Sequence, residues 1–309
     1  MIPTLLVVLP FCQKDVVQAR ALLGWIGELR TTTDRIPHSI LLAADKKVPL
    51  EIIRDMKAQA LAIFHSADAT LINVPDDRQA WPKGPNFMFH NVSQVVQQRY
   101  RVPWLWLEPD CVPLVDNWLD RLAWEYGLCP KHFMGTMATV ALSPDLPERH
   151  MSGCAIYPTN AYEIMKEACA SDIAFDYASA GSILGKNRAW ETKLIYEIWG
   201  THSVIPTFKA IKAPDDADNV LVPAVIPESA VLFHRCKDGS LIRLLRKQRS
   251  PQPEEVVKSF EAAPDPTPGS LPVAVEPEQN VPEVPTPVKE PKPKQKVRIG
   301  VPESKMAVI

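Results

Sequence analysis

The 309-residue sequence has no C-x-x-C pair, no G-x-G-x-x-G, no G-x-x-x-x-G-K-[ST] and no apolar run of bilayer-spanning length. Each absence removes a class. Cys12, Cys111, Cys129, Cys154, Cys169 and Cys236 are scattered, which suits free thiols in a reducing compartment better than a zinc site or a disulfide frame. The missing dinucleotide fingerprint argues against a nicotinamide or flavin enzyme, and the missing phosphate loop against a P-loop nucleotidase. A formal charge of −2 gives no global attraction to nucleic acid or to an anionic membrane, so such contacts need a local patch. The apolar start, Ile2 to Leu9, is short, lacks a basic lead and runs into Lys14 and Asp15. It reads as a first strand, not as a signal peptide or membrane span, and the protein is expected to be soluble and cytoplasmic.

What is present is a hydrophobic fraction of 46%, enough to build a core. Thr4–Leu9 reads as a buried strand, followed by the loop Pro10-Phe11-Cys12-Gln13. Asp15–Leu29 carries a helical stripe of Val16, Ala19, Leu22, Leu23 and Ile26. Ser39–Ala44 is a second strand ending at Asp45, Leu50–Phe64 a second helix and Thr70–Val74 a third strand. This β-α-β-α-β order predicts a Rossmann-like α/β sheet. A loop through Trp81, Lys83 and Gly84 then leads to Asn86, which can cap a helix running to Tyr100. Asp116–Tyr126 is a helix with Trp118, Leu122 and Trp124 as packing residues. His132–Thr136 and Met151–Pro158 are strands, and Thr159 or Asn160 can cap the helix that follows. Ala189–Trp199 looks helical. The Asp238-Gly239 pair between the apolar runs Ala230–His234 and Leu241–Leu245 predicts a hairpin. Val140–His150 is read as a loop. From Ser250 the composition shifts to recurrent proline among Glu, Lys, Thr and Val. Residues 1–249 therefore read as the folded domain, and 250–309 as a disordered Pro-rich tail with a basic end at Lys292, Lys294, Lys296 and Arg298.

The chemistry centres on Trp104-Leu105-Trp106-Leu107-Glu108-Pro109-Asp110. Four bulky apolar residues predict a central strand buried on both faces. Two acids follow at its carboxyl end, where α/β sheets place ligands. On an extended chain, residues two apart leave the same face, so Glu108 and Asp110 can share a divalent cation. The ordinary role of such a pair is only to end the strand. His234 ends a late strand; if that strand returns beside the central one, its imidazole can join Asp110 on the metal. One nitrogen among carboxylate oxygens suits Mn²⁺ or Mg²⁺ better than Ca²⁺. Lys237, three residues on, would meet an anion held there, unless it is a solvated turn residue.

The order of elements, with Glu108-Pro109-Asp110 where a D-x-D motif belongs, resembles the GT-A-fold glycosyltransferases. The late Phe233-His234-Arg235-Cys236-Lys237-Asp238-Gly239-Ser240 resembles the segment that brings their His ligand. Together with Ser152-Gly153-Cys154-Ala155-Ile156-Tyr157-Pro158, these motifs look most like bacteriophage glycosyltransferases, some of which modify hydroxymethylated pyrimidines in DNA. The resemblance covers about Pro3 to Leu245 and leaves the tail out. It implies a mixed central sheet flanked by helices, a nucleotide-sugar donor (commonly UDP-linked) and Mn²⁺ or Mg²⁺ on Asp110 and His234. Glu108 would touch either the metal or the donor ribose. Donor binding would fall to Pro10, Phe11, Asp45, Lys83, Asn86 and Lys237, and general-base catalysis to Asp176, with Asp172 as substitute. Gly153 would allow close approach of donor or acceptor. A DNA acceptor would meet the basic cluster Arg243, Arg246, Lys247 and Arg249, with Trp81 as a candidate to hold an extruded base. A phage enzyme would act in the host cytoplasm.

Two readings compete. A nucleotidyltransferase shares the fold type but needs a glycine-rich, Arg-containing loop after the first strand, and Pro10–Lys14 has no glycine. A non-catalytic binding protein could keep the fold without turnover; the presence of Asp110, His234 and Lys237 argues against it. The tail has too few apolar groups to offset the cost of ordering it. Deleting the chain after Arg249 is therefore expected to leave the melting temperature unchanged in calorimetry, whereas a loss of many degrees would show that the tail docks on the domain.

Overall fold

Uninterrupted apolar runs such as Leu6–Leu9 suit strands covered on both faces. The computed structural model describes residues 3–30, 35–139, 147–197, 204–207 and 222–249, and it uses the runs in this way. The first half of the chain comprises β1 (Leu6–Phe11), α1 (Val16–Leu29), β2 (Ile36–Asp45), α2 (Leu50–Ile63), β3 (Phe64–Ile72), α3 (Lys83–Arg99) and β4 (Trp104–Trp106). Next come β5 (Val112–Pro113), α4 (Trp118–Leu128), β6 (Phe133–Ala138), β7 (His150–Tyr157) and α5 (Ala161–Cys169). Then follow α6 (Phe175–Ala178), α7 (Ala180–Ile183), β8 (Ala189–Glu191), β9 (Ile195–Glu197), β10 (Val204–Thr207), β11 (Val222–Val225), β12 (Leu232–His234) and α8 (Ser240–Arg249). The tail and residues 140–146 lie outside the described residues.

Seven strands form the main sheet in the order β3-β2-β1-β4-β7-β6-β8. The first four are parallel, and β7 runs antiparallel to both β4 and β6. This is the expected mixed, Rossmann-like α/β sheet, with β4 at its centre. Alternation along each strand divides the core in two. Val7, Leu9, Leu42, Leu105 and Ile156 face α1, α2, α4 and α8; Leu6, Val8, Leu41, Trp104, Trp106 and Tyr157 face α3 and α5. Phe89 on α3 sits amid Trp104, Trp106, Tyr157 and Phe175, with ring centroids 5.3, 5.1, 4.9 and 4.2 Å away. Among the described residues, no helix is long and apolar enough to cross a membrane.

Several expectations give way. Pro10 and Phe11 belong to β1 rather than to the loop after it; β4 pairs with β1 only as far as Val8, so a proline at position 10 disturbs little of that ladder. The third strand begins at Phe64, directly after α2, and ends at Ile72. The helix expected over 189–199 is, where described, the two short strands β8 and β9. The hairpin expected at Asp238-Gly239 is the start of α8. There Asp238 Oδ1 accepts the Ser240 N–H at 3.0 Å, and Leu241, Ile242 and Leu245 form a helical stripe. Asn86 does not cap α3, which starts three residues earlier. Trp124 is 58% exposed, whereas Trp118 and Leu122 are buried as expected. Finally, β12 does not return to the main sheet. It pairs with β5 and β9 in a separate three-stranded sheet.

Phe89 joins α3, the sheet and α6 in one aromatic cluster. Phe89→Ala is expected to cost about 3–5 kcal/mol in urea unfolding, the range for a buried aromatic whose cavity cannot collapse. A loss below about 1 kcal/mol would show that the cluster closes over the gap.

Candidate active site

The acid motif is presented by a turn. After β4, Leu107 donates its N–H to Val8 at 2.9 Å and extends the sheet by one residue. The chain then folds so that the Cys111 N–H reaches the Glu108 carbonyl at 3.0 Å. The two carboxylates are thus brought together by a turn, not by strand alternation. The Asp110 carbonyl accepts the Cys236 N–H at 2.9 Å, which ties this turn to the segment leaving β12. That tie carries His234 to the acids even though its strand lies outside the main sheet. His234 Nε2 lies 3.2 Å from Glu108 Oε2 and 3.4 Å from Asp110 Oδ1.

A third carboxylate, which sequence reading missed, stands on the other side of the ring. Glu197 Oε1 is 3.2 Å from His234 Nδ1 and 2.5 Å from Arg235 Nε, and its side chain is wholly buried. Burial alone would make the imidazole neutral, but Glu197, Asp110 and Glu108 hold its pKa well above the usual histidine value. Burial likewise works against the Glu197 charge, yet His234 and Arg235 pull its pKa down to about 2. Asp110 is also lowered: burial opposes its charge, and His234, Lys237 and Arg235 favour it.

The site fits a hard divalent cation. Asp110 Oδ1 is buried and makes no hydrogen bond in good geometry; His234 Nε2 stands 3.4 Å away, and the oxygen keeps the capacity to take a cation. Ligand atoms of Asp110, Cys111 and His234 all lie within 4.8 Å of one another. Cys111 is the least suited of the three. Burial, reinforced by its neighbour Cys154 with Sγ atoms 3.4 Å apart, raises its pKa well above the usual thiol value, so the sulfur stays protonated. The remaining carboxylate oxygens and one imidazole nitrogen are the donors that Mg²⁺ and Mn²⁺ accept.

Asp176 opens α6 within the same field. Its Oδ2 is 4.0 Å from His150 Nε2, and its Oδ1 accepts the Tyr177 N–H at 3.0 Å. Burial, then repulsion from Glu108 and Glu197, pushes its pKa up to about 7. His150 is fully buried, stacks on Tyr177 at 3.7 Å and is lowered to about 4, chiefly by burial. Asn86 sets this segment in place from inside α3. Its amide donates to the carbonyls of Ser171 at 3.1 Å and Ile173 at 2.8 Å, and its oxygen accepts the Phe175 N–H at 2.8 Å. Asp172 lies apart: it is exposed and paired with the exposed Lys83 at 3.1 Å. A side chain at Gly153 would meet Glu108 Oε1 at 3.2 Å and the Phe175 ring at 3.4 Å. The close neighbour that Gly153 admits is therefore the acid motif itself.

Pro10 and Phe11 end β1 beside Ala43 and Ala44 of β2. Asp45 ends β2 and is 1% exposed; it accepts the Lys47 N–H at 2.9 Å and faces Gln79 Nε2 at 3.4 Å. These three residues mark the carboxyl ends of adjacent parallel strands, the crevice where such sheets bind ligands. Lys237 is exposed, and its charge contributes to the lowering of Asp110. Of the basic cluster, Arg246 pairs with Glu28 at 2.6 Å and Arg249 donates to the Leu29 carbonyl at 3.2 Å. Trp81 is 66% exposed. Glu197, Arg235 and His150 were not legible in advance. Glu197 lies in a stretch whose pattern reads as a helix, His150 ends a polar run read as a loop, and Arg235 sits inside the His234 motif with no signal of its own.

The raised Asp176 pKa has a thermodynamic consequence. The folded state binds this proton more tightly than the unfolded state, so folding loses stability as pH rises from 3.8 through about 7. Asn in its place keeps the shape and does not ionise. Asp176→Asn should therefore gain stability over wild type above pH 7, by at most about 4 kcal/mol, with the difference vanishing below about pH 4. Urea unfolding across this range measures it, and a pH-independent difference would show that the carboxyl is not buried against charge.

The sequence matches no protein-family model and no curated protein. Among solved structures, an active-site mutant of LgtC aligns with a TM-score of 0.49 and 10% identity, over 81% of this chain and 98% of that one. The galactosyltransferase LgtC in complex with donor and acceptor sugar analogues gives 0.47 and 10%, with the same coverage. WbbM, a bifunctional glycosyltransferase, gives 0.45 and 12%, over 64% of this chain. The chain spans only 40% of the length of WbbM. At such TM-scores these likenesses do not decide fold or chemistry, which rest on the strand order and residues above.

Proposed function

We propose that residues 1–249 form a metal-dependent glycosyltransferase of the GT-A kind, which moves a sugar from a nucleotide-sugar donor, a UDP-sugar by preference, to an acceptor hydroxyl. The observation that carries this reading is the meeting of Glu108, Asp110 and His234 at the carboxyl end of the central strand, with His234 Nε2 3.2 and 3.4 Å from the two acids. Asp110 and His234 would hold Mn²⁺ or Mg²⁺, with Glu108 beside them as a further ligand or as a partner for the donor ribose. Bound there, the ion supplies Lewis-acid neutralisation of the diphosphate that leaves as the glycosidic bond breaks.

The other roles belong to the chain's own groups. Lys237 adds positive charge on the leaving-group side. Pro10, Phe11 and Asp45, all buried at their strand ends, would shape the crevice for base and ribose from beneath. Lys83 and Asn86 act at the start of α3, and the hydrogen bonds of Asn86 give it a positioning part. Asp176 is the candidate base. A carboxyl with a pKa near 7 can take the acceptor proton near neutral pH, as an inverting reaction requires. Asp172, exposed and paired with Lys83, is a weaker substitute. A DNA acceptor carrying hydroxymethylated pyrimidines rests on the phage resemblance. Its electrostatic support is reduced, because Arg246 and Arg249 are engaged with α1.

Thermal shift with nucleoside diphosphates and Mn²⁺, joined to mass spectrometry of products from a donor panel with saccharide and hydroxymethylated-DNA acceptors, tests the reading. Ligand at about a hundred times its Kd adds about 2.7 kcal/mol to stability, which is several degrees. Wild type should show that shift with UDP and Mn²⁺ together. Asp110→Ala should lose its metal-dependent part and at least about 100-fold of transfer, with His234→Ala less severe. Wild-type turnover in Asp110→Ala would overturn the metal assignment. No shift with any nucleoside diphosphate would favour a non-catalytic binding protein.

A further inference from the structure

We infer that Glu197 is a positioning residue for His234: its buried carboxylate fixes the imidazole so that Nε2 faces Glu108 and Asp110. The inference rests on the metal-dependent reading above and adds to it a residue outside the acid motif. The backbone makes the first part of the case. β9 and β12 are parallel neighbours, and their register sets His234 opposite Glu197. The two side chains therefore leave the same face of the small sheet. The second part is chemical. An imidazole offers two nitrogens, and the group held by one decides what the other can do. Here Nδ1 is 3.2 Å from Glu197 Oε1, an ion-pair distance without hydrogen-bond geometry, while Nε2 is the nitrogen near both acids. With a cation among Glu108, Asp110 and Nε2, the carboxylate beside Nδ1 favours the tautomer with the proton on Nδ1 and leaves the Nε2 lone pair for that cation.

Arg235 completes the device. Its backbone adopts φ 82°, a left-handed conformation rare outside glycine, and its Nε reaches the same Glu197 oxygen at 2.5 Å. A strained turn directly after His234 thus folds a guanidinium back onto the carboxylate that supports the ring. With its side chain wholly buried, Glu197 has little room to adopt another arrangement. A purely structural role would need only that Glu197 neutralise Arg235; the contact to Nδ1 goes beyond that.

The test uses the full chain as wild type, Glu197→Gln and His234→Ala. Mn²⁺ is titrated and followed by the electron paramagnetic resonance of the free ion, and the bound ion is examined for coupling to an imidazole nitrogen. In parallel, ¹⁵N-labelled wild type with Mg²⁺ reports the His234 tautomer. Wild type should bind Mn²⁺ with nitrogen coupling that His234→Ala lacks. Glu197→Gln should bind it about 10–100-fold more weakly. Its metal-free melt should fall, because His234 and Arg235 lose a buried partner, so its affinity is read at a temperature where it stays folded; its nitrogen coupling should be altered. The Mg²⁺ form should carry its ring proton on Nδ1. Equal Mn²⁺ affinity and unchanged coupling in Glu197→Gln would overturn the inference and leave the metal reading standing. If wild type bound no Mn²⁺, the metal reading would fail and take the inference with it. Should Glu197→Gln not fold, the wild-type tautomer decides: a proton on Nε2 with Nδ1 toward the metal overturns the inference.

Discussion

A buried imidazole among three carboxylates is the constraint to which the rest of this molecule conforms. His234 is nearly inaccessible, and Glu197 wholly so. Ions taken from water cost several kcal/mol each unless they are paired in good geometry. Pairing here draws on three elements far apart in sequence: the turn after β4, the end of β9 and the end of β12. Each must stop at the right residue. Counted as ionised, Glu108, Asp110 and Glu197 face His234 and Arg235 inside the cluster, and the exposed Lys237 brings a third positive charge to bear on Asp110 from its edge. Three carboxylates around one imidazole, with Asp110 Oδ1 buried and held only at ion-pair distance by His234, leave oxygens that can take a cation.

The parts of this arrangement that were legible in the sequence are those with a simple period. The units from β1 to β3 read correctly in kind because strand runs and helical stripes alternate cleanly. The central strand declared itself through Trp104 to Leu107. Legibility failed where elements are short. β8 and β9 have three residues each, too few for period two to show, and the alternation of Ile195, Tyr196 and Glu197 passed for one face of a helix. At Asp238-Gly239 the turn residues were real signals, but they serve a helix start. The spacing of Leu241, Ile242 and Leu245 is the mark that distinguishes the two.

For the candidate site, residue types were easier to read than geometry. Glu108, Asp110 and His234 stood out as a set: each alone has an ordinary structural role at a strand end, and only their order along the chain, with the motifs around them, resembles a GT-A site. Strand alternation was the wrong account of how the acids meet, since a turn after β4 brings them together. A return of β12 to the main sheet was the wrong account of how the histidine arrives, since one backbone bond, from the Cys236 N–H to the Asp110 carbonyl, ties the small sheet to the acid turn. Neither connection has a sequence period. Glu197 was invisible for a related reason: a buried acid is defined by its partners, and those partners are set by a strand register.

The two candidate clusters are also physically linked. Asp176 is raised in pKa first by burial and then by the charges of Glu108 and Glu197, the same carboxylates that hold His234. Glu108 approaches this region because Gly153 carries no side chain, and Phe175, next to Asp176, occupies the other side of that gap. Asn86 holds the Phe175 N–H, and Phe89 stacks on its ring. The acid turn and the candidate base therefore lean on one shared support from α3 and β7. Positive charge placed among Glu108, Asp110 and His234 would weaken the repulsion on Asp176 and lower its pKa toward the ordinary carboxylate range. On the metal-dependent reading, cation binding and proton release at Asp176 would be coupled through Glu108, the acid common to both groups, without any moving part.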